Sequence, residues 1–251
     1  MPNESGDWIM KGLEWDDPYR IRTWEELINY INQVGFLPLF ANEVPGFSAE
    51  EHVSPNFWWS GDAEQDPWLW REIIARSGKV AYGKFFNKKA GFISKEWFST
   101  FANYRRNGYD FDALYEDGYA SLRSKKIMDL FIKSDADDDL EFIEEPIYSN
   151  EMKQKAGFGK GGEKNFDGVL TDLQMKTYLV IRDFRKRKRK KDGAEYGWPI
   201  ALYTAPEVLW NYDTVAGSYR EDPDASFEKL INRVKEEYPW APEEQIRKVL
   251  K

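Results

Sequence analysis

Apolar side chains along this chain recur with two periods, and the switches between them mark out its elements. Thr23-Trp24-Glu25-Glu26 is a capping box, whose hydroxyl and carboxylate satisfy free amides at a helix start; Trp24, Leu27, Ile28 and Ile31 continue at helical spacing until Gly35. A stretch punctuated by Pro38, Pro45, Gly46 and Pro55 follows. Asp66-Pro67 then opens a helix through Trp70, Ile73 and Ile74 that Gly78 stops. Val80 to Phe86 and Ala90 to Ile93 are strand-like runs around Asn87-Lys88-Lys89, which predicts a hairpin, and Ser94 caps a helix through Trp97, Phe98 and Phe101.

Further on, Ala120 to Ile132 carries Leu122, Ile127, Leu130 and Phe131 on one helical side, Ser149 caps a short helix to Ala156, and Phe166, Leu170 and Leu173 fit a third helix despite Gly168. Thr177 to Phe184 and Trp198 to Tyr203 read as antiparallel partners, and Thr204-Ala205-Pro206-Glu207 as a capping box opening a helix through Val208, Leu209 and Trp210. The acidic run Ser134 to Asp139 reads as a linker or exposed loop; it lacks the glycine and closing glutamate of a calcium loop. Helices followed by strand, charged turn, strand and helix is the winged helix-turn-helix order, and the first half repeats it with a smaller turn. The expected fold is α+β and mostly helical, with tandem winged-helix-like units bearing β-hairpin wings over residues 1–134 and 135–251, able to pack as one compact domain.

Composition narrows the chemistry. Among 251 residues there are 11 Trp, 14 Tyr and 16 Phe, so large rings are expected to fill much of the core. With no Cys, disulfides, thiolate metal sites and thiol nucleophiles are excluded, and a reducing, cytoplasmic setting is the default. Neither a secretory signal nor a membrane span is recognisable, so a soluble protein is expected. His52 is the sole histidine, which removes His-based metal sites, and no cofactor is implied.

The net charge of −8 conceals a segregation: between Asn150 and Asp192 there are 13 Lys and Arg against six acids, a local +7 that leaves −15 elsewhere. Arg185, Lys186, Arg187, Lys188, Arg189, Lys190 and Lys191 join two strands and are expected to project as a hairpin tip, where phosphates would relieve their mutual repulsion and bind in a salt-dependent, sequence-blind way. A solvated loop is the alternative. Arg182, at the base of that hairpin, is a further candidate phosphate ligand. Gly157-Phe158-Gly159-Lys160-Gly161-Gly162 contains a dinucleotide glycine pattern, but it follows a helix, not a strand; it reads instead as a turn before a recognition helix, with Lys160 and Lys164 offered to phosphate, or as a flexible turn alone.

Candidate catalytic groups are Glu43, Asn42 and His52. Glu43 lies in a loop flanked by apolar residues, where desolvation would raise its pKa; an exposed loop acid is the alternative. Trp58 and Trp59 follow His52, and with Trp70 and Tyr82 they are the candidate walls of an aromatic pocket, with plain core packing as the alternative.

This layout, with Gln33-Val34-Gly35-Phe36-Leu37-Pro38-Leu39-Phe40, resembles the AlkZ-like family of winged-helix DNA glycosylases; Trp70 to Phe101 and Leu170 to Phe184 look especially like a divergent branch related to it. The resemblance implies tandem winged helices and a basic hairpin holding damaged duplex DNA. It also implies a Gln-x-Gln or Gln-x-Asp motif after the first helix, assisting glycosidic cleavage. That motif aligns with Pro38-Leu39-Phe40, neither end of which is polar, so no catalytic residue carries over. Three functions follow: a DNA-binding relative that does not cut or has altered specificity, a base-lesion hydrolase using a carboxylate such as Glu43, or a small-molecule or protein-binding module. Duplex DNA is the expected partner of the first two.

Overall fold

The structure, a computed structural model, describes residues 9–134, 140–189 and 191–251; the acidic run from 135 to 139 and Lys190 lie outside the described residues. The elements in chain order are α1 (Trp24–Val34), β1 (Phe36–Pro38), α2 (Pro67–Ser77), β2 (Val80–Phe86), β3 (Lys89–Ser94), α3 (Lys95–Arg106), α4 (Phe111–Glu116), α5 (Leu122–Met128), β4 (Ile132–Ser134), β5 (Leu140–Phe142), β6 (Ile147–Tyr148), α6 (Ser149–Lys155), α7 (Phe166–Met175), β7 (Val180–Lys188), β8 (Glu195–Thr204), α8 (Pro206–Leu209), α9 (Tyr212–Ala216), α10 (Pro223–Glu237) and α11 (Glu243–Leu250). The fold is α+β with an antiparallel sheet of hairpins. Local caps explain several boundaries. Thr23 accepts from the Glu26 amide at 3.2 Å. Asp66 accepts from Trp68 at 2.8 Å while also holding the amides of Trp59 and Gly61, so one buried carboxylate starts α2 and folds the loop before it.

Six strands form one sheet in the order β1-β3-β2-β7-β8-β6. The hairpin of the first half joins that of the second through antiparallel pairing of Tyr82 with Ile181. Gln174 on α7 extends the seam, its side-chain oxygen accepting the Lys84 amide at 3.1 Å. Because β2 and β7 run antiparallel, their hairpins point toward opposite ends of the sheet. The chain leaves β1 toward the β2–β3 turn, since Pro38 pairs with Gly91 and Leu39 donates to Ala90. Gly91 is needed there: a Cβ would meet the Phe86 ring at 2.5 Å and the Leu37 carbonyl at 2.7 Å.

One hydrophobic cluster runs through both halves, and phenylalanines supply much of it: Phe36, Phe47, Phe85, Phe86, Phe92, Phe98 and Phe101 are all buried. Three expectations are corrected. The helix expected to Ile132 stops at Met128, because Ile132 is drawn into pairing with Phe142 in the β4–β5 ribbon. Thr204 and Glu207 form no capping box: Thr204 ends β8, and the Glu207 carboxylate turns inward to Arg106 at 2.7 Å. The order expected for the second half ended near Trp210, yet α9, α10 and α11 follow. Asp222-Pro223 repeats the start signal of Asp66-Pro67, and Phe227, Leu230, Ile231 and Val234 keep helical spacing, so α10 was legible.

Arg106 is buried at the end of α3 and donates to Glu207, to the Tyr219 hydroxyl at 2.8 Å and to the Thr177 carbonyl at 2.7 Å, with the Tyr178 ring 4.4 Å away. Glu207→Ala would strand that charge in the core and is expected to lower unfolding free energy by about 3–5 kcal/mol. Urea denaturation checks this, and a loss well under about 1 kcal/mol would contradict it.

Candidate nucleic-acid interface

Strands β7 and β8 leave the sheet as a long hairpin. On β7 the side chains are buried or half-buried from Val180 to Phe184 and exposed from Arg185 to Lys188, so the basic run begins where the strand loses its cover. Arg185, Lys186, Arg187, Lys188, Arg189 and Lys191 are all exposed on the strand and tip; the run does not continue a helix. Two of these cations meet an acid of this chain: Arg185 binds Asp183 at 2.6 Å, and Arg189 lies 3.9 Å from Asp192. Among the described residues no ion pair involves Lys186, Arg187, Lys188 or Lys191. Arg187 instead lies over the Tyr196 ring at 4.9 Å.

Other predicted cations divide. Arg182 is committed to structure, donating to the Ala75 carbonyl at 3.2 Å and to that of Arg76, where it satisfies the end of α2. Lys160 and Lys164 are exposed on the loop between α6 and α7. Gly157, Gly159 and Gly161 there have positive φ and open space around them, and the loop closes on itself through the Glu163 amide and Gly157 carbonyl. Lys126 pairs with Glu163 at 2.7 Å. Helix α7 does not present a cationic face as a recognition helix would: it buries Phe166, Val169, Leu170, Leu173 and Gln174, while the exposed Asp167 and Asp172 are acidic and repel phosphate.

The catalytic candidates cluster at the far end of the sheet from the hairpin tip, because their loop follows β1 toward the β2–β3 turn. The raised pKa expected at Glu43 is corrected: the side chain is exposed, and the Lys248 ammonium 3.0 Å away holds its carboxyl below the ordinary value. Asn42 is spent within its loop, donating to the Phe47 carbonyl at 2.6 Å and accepting from Val44 at 2.9 Å. His52 Nε2 contacts the Gly46 carbonyl at 2.8 Å and the Tyr30 hydroxyl at 2.9 Å, and Tyr30 continues to Tyr238. Burial pushes the imidazole pKa down against the opposing pull of Gly46 and Glu51.

Trp58, Trp70 and Tyr82 are buried in the core cluster, whereas Trp59, with φ 59, is exposed and packs against Trp58 and Trp68 at centroid distances of 5.7 and 6.3 Å. Where the family motif aligns, Phe40 packs on Trp58 and Trp68 at centroid distances of 5.6 and 6.5 Å. The Arg71 guanidinium lies between the Trp68 ring at 3.7 Å and the Phe184 ring at 4.2 Å, linking that aromatic group to the base of the hairpin. Sequence reading missed Arg71, since a lone arginine in an apolar helix gives no local sign of its stacking partners.

At the hairpin base a cleft of 750 Å³ is lined by Arg76, Arg182, Arg185, Glu144, Asp183 and Glu207 among others. Burial alone would raise the Asp183 carboxyl, but hydrogen bonds from Arg185, Arg76 and the Phe184 amide together hold it below its ordinary value. Among the described residues no three His, Asp or Glu side chains gather as a metal site, and no helix is long and apolar enough to cross a membrane.

The fold and this surface define an α+β protein with a cationic hairpin protruding from an antiparallel sheet. The family model described as AlkZ related matches residues 21–251, and the chain belongs to that family. No curated protein and no solved structure matches it.

Because His52 is the only imidazole, proton NMR reads it without assignment. Its lowered pKa predicts a midpoint below about 6.5, with any stability it confers fully present above that pH and lost as pH falls through the midpoint. A midpoint at or above about 6.5 would contradict the buried, neutral ring.

Proposed function

We propose that this protein binds duplex DNA through the β7–β8 hairpin and does so without cutting it. The hairpin acts as the wing of the second of two winged-helix-like units, residues 1–134 and 135–251, in a cytoplasmic role in DNA maintenance. The observation that carries this reading is the exposure of Lys186, Arg187, Lys188 and Lys191 on a protruding strand and tip, with no carboxylate of the described chain neutralising them. Such an array displaces counterions from a phosphate backbone, and the gain is sequence-blind. Acidic residues exposed on α7 favour contact through the wing over helix insertion.

The placement of the catalytic candidates supports binding without cleavage. A glycosylase needs a polar group beside the scissile bond, whereas Pro38 is buried, Phe40 packs on tryptophans, and Glu43 is held by Lys248 at the opposite end of the sheet from the wing tip. The alternative of a base-lesion hydrolase is favoured by one feature, the cleft at the wing base, where Glu144 is exposed. An abasic-site assay on alkylated and oxidised duplexes separates the two: product that vanishes in Glu144→Gln or Glu43→Gln establishes hydrolysis.

Changing Lys186, Lys188 and Lys191 together to Gln is expected to weaken duplex binding at low salt and to reduce the slope of log affinity against log salt by about 1 per lost phosphate contact. Fluorescence anisotropy across a salt series measures both, and an unchanged slope removes the wing from the interface.

A further inference from the structure

The wing carries a feature that charge does not explain. Arg185 pairs with Ile200 and Arg187 with Tyr196, so the three residues Gly197-Trp198-Pro199 oppose Lys186 alone. This is a bulge, and its residues suit one: Gly197 adopts φ 74, which favours glycine, and Pro199 has no amide to offer a ladder. The surplus chain throws Trp198 outward until the side chain is 88% exposed. Among the described residues neither a ring contact nor a hydrogen bond engages it. Large aromatic side chains normally bury their surface, and this protein packs most of its own into or against the core. Cations flank the bulge: a Cβ on Gly197 would lie 3.6 Å from the Arg187 guanidinium, and Lys186 lies opposite it across the ladder.

An exposed aromatic plane on a strand pair that also carries phosphate-seeking cations matches the chemistry of a nucleobase. Every base has a π-face, so stacking is tolerant of sequence, whereas within an intact duplex those faces are already covered. Unstacking costs least where a base has lost its partner. We infer that Trp198 stacks on an unpaired base in duplex DNA, while β7 grips the flanking phosphates. The wing thereby favours damaged or mispaired sites over intact duplex. This rests on the nucleic-acid reading of the wing and adds to it a preference that charge alone would not produce.

The test uses the full chain and two fluorescent duplexes of one sequence, one fully paired and one with a single base opposite an abasic-site analogue, read by anisotropy. Wild type is expected to bind the second more tightly. Trp198→Ala is expected to lose about 10-fold on that duplex and under about 2-fold on the paired one, with an unchanged salt slope. Trp198→Phe, which keeps a ring, is expected to retain most of the preference. Equal losses on both duplexes, or no loss on either, would overturn the stacking role while leaving the charged wing in place. Failure of wild type to bind either duplex would instead overturn the proposed function, and this inference with it.

Discussion

Two adjacent arginines at the end of α3 hold the halves of this molecule together. Arg106 reaches Glu207, Thr177, Tyr178 and Tyr219, all from the second half, in a buried network that leaves its charge compensated. Burial alone would lower its pKa; Glu207 and the surrounding tyrosines reverse that effect and raise it. Arg105 donates to three backbone carbonyls, those of Phe85, Met175 and Leu250, and burial lowers its pKa to about 10, so it remains charged at neutral pH. A buried ion pair adds little net stability over a well-packed apolar substitute, but it penalises any packing that separates the partners. Here it ties the segment before β7 and the helix after β8 to α3, and so fixes the base of the strand pair, where β7 begins and β8 ends.

With its base fixed, the β7–β8 hairpin extends from the sheet with Arg185 to Arg189 exposed. Its cations repel one another, and the chain outside the basic segment is strongly negative. Asp183 pairs with both Arg185 and Arg76 at the root, while among the described residues Lys186, Arg187, Lys188 and Lys191 form no ion pair with the acidic body. Charge segregation along the sequence thus becomes segregation in space.

Elements with strong local signals were legible. The caps at Thr23, Asp66 and Ser94 and the first hairpin stand where the pattern of residues places them; the second pairs as expected, but β7 runs on through Arg185 to Lys188 and β8 begins at Glu195, so much of the run expected as a turn is strand. Failures came where tertiary partners outbid local ones. Glu207 sits in a capping-box spacing, yet a buried guanidinium offers more to a carboxylate than a solvated amide does. Arg182 looked like a phosphate ligand and instead closes the end of α2. Glu43 looked desolvated, but its apolar neighbours turn into the core while its own side chain meets Lys248, which is distant in sequence.

The sequence by itself determined the strand pair, the dense positive run that accompanies it and the family, because periodicity, turn residues and runs of like charge are local properties. Tertiary structure decided which of those charges remain free, which end of the sheet each candidate group occupies, and that an indole stands exposed on the bulge. Those depend on strand direction, register and distant partners, and each pairing is settled by burial and geometry that no local stretch of chain encodes.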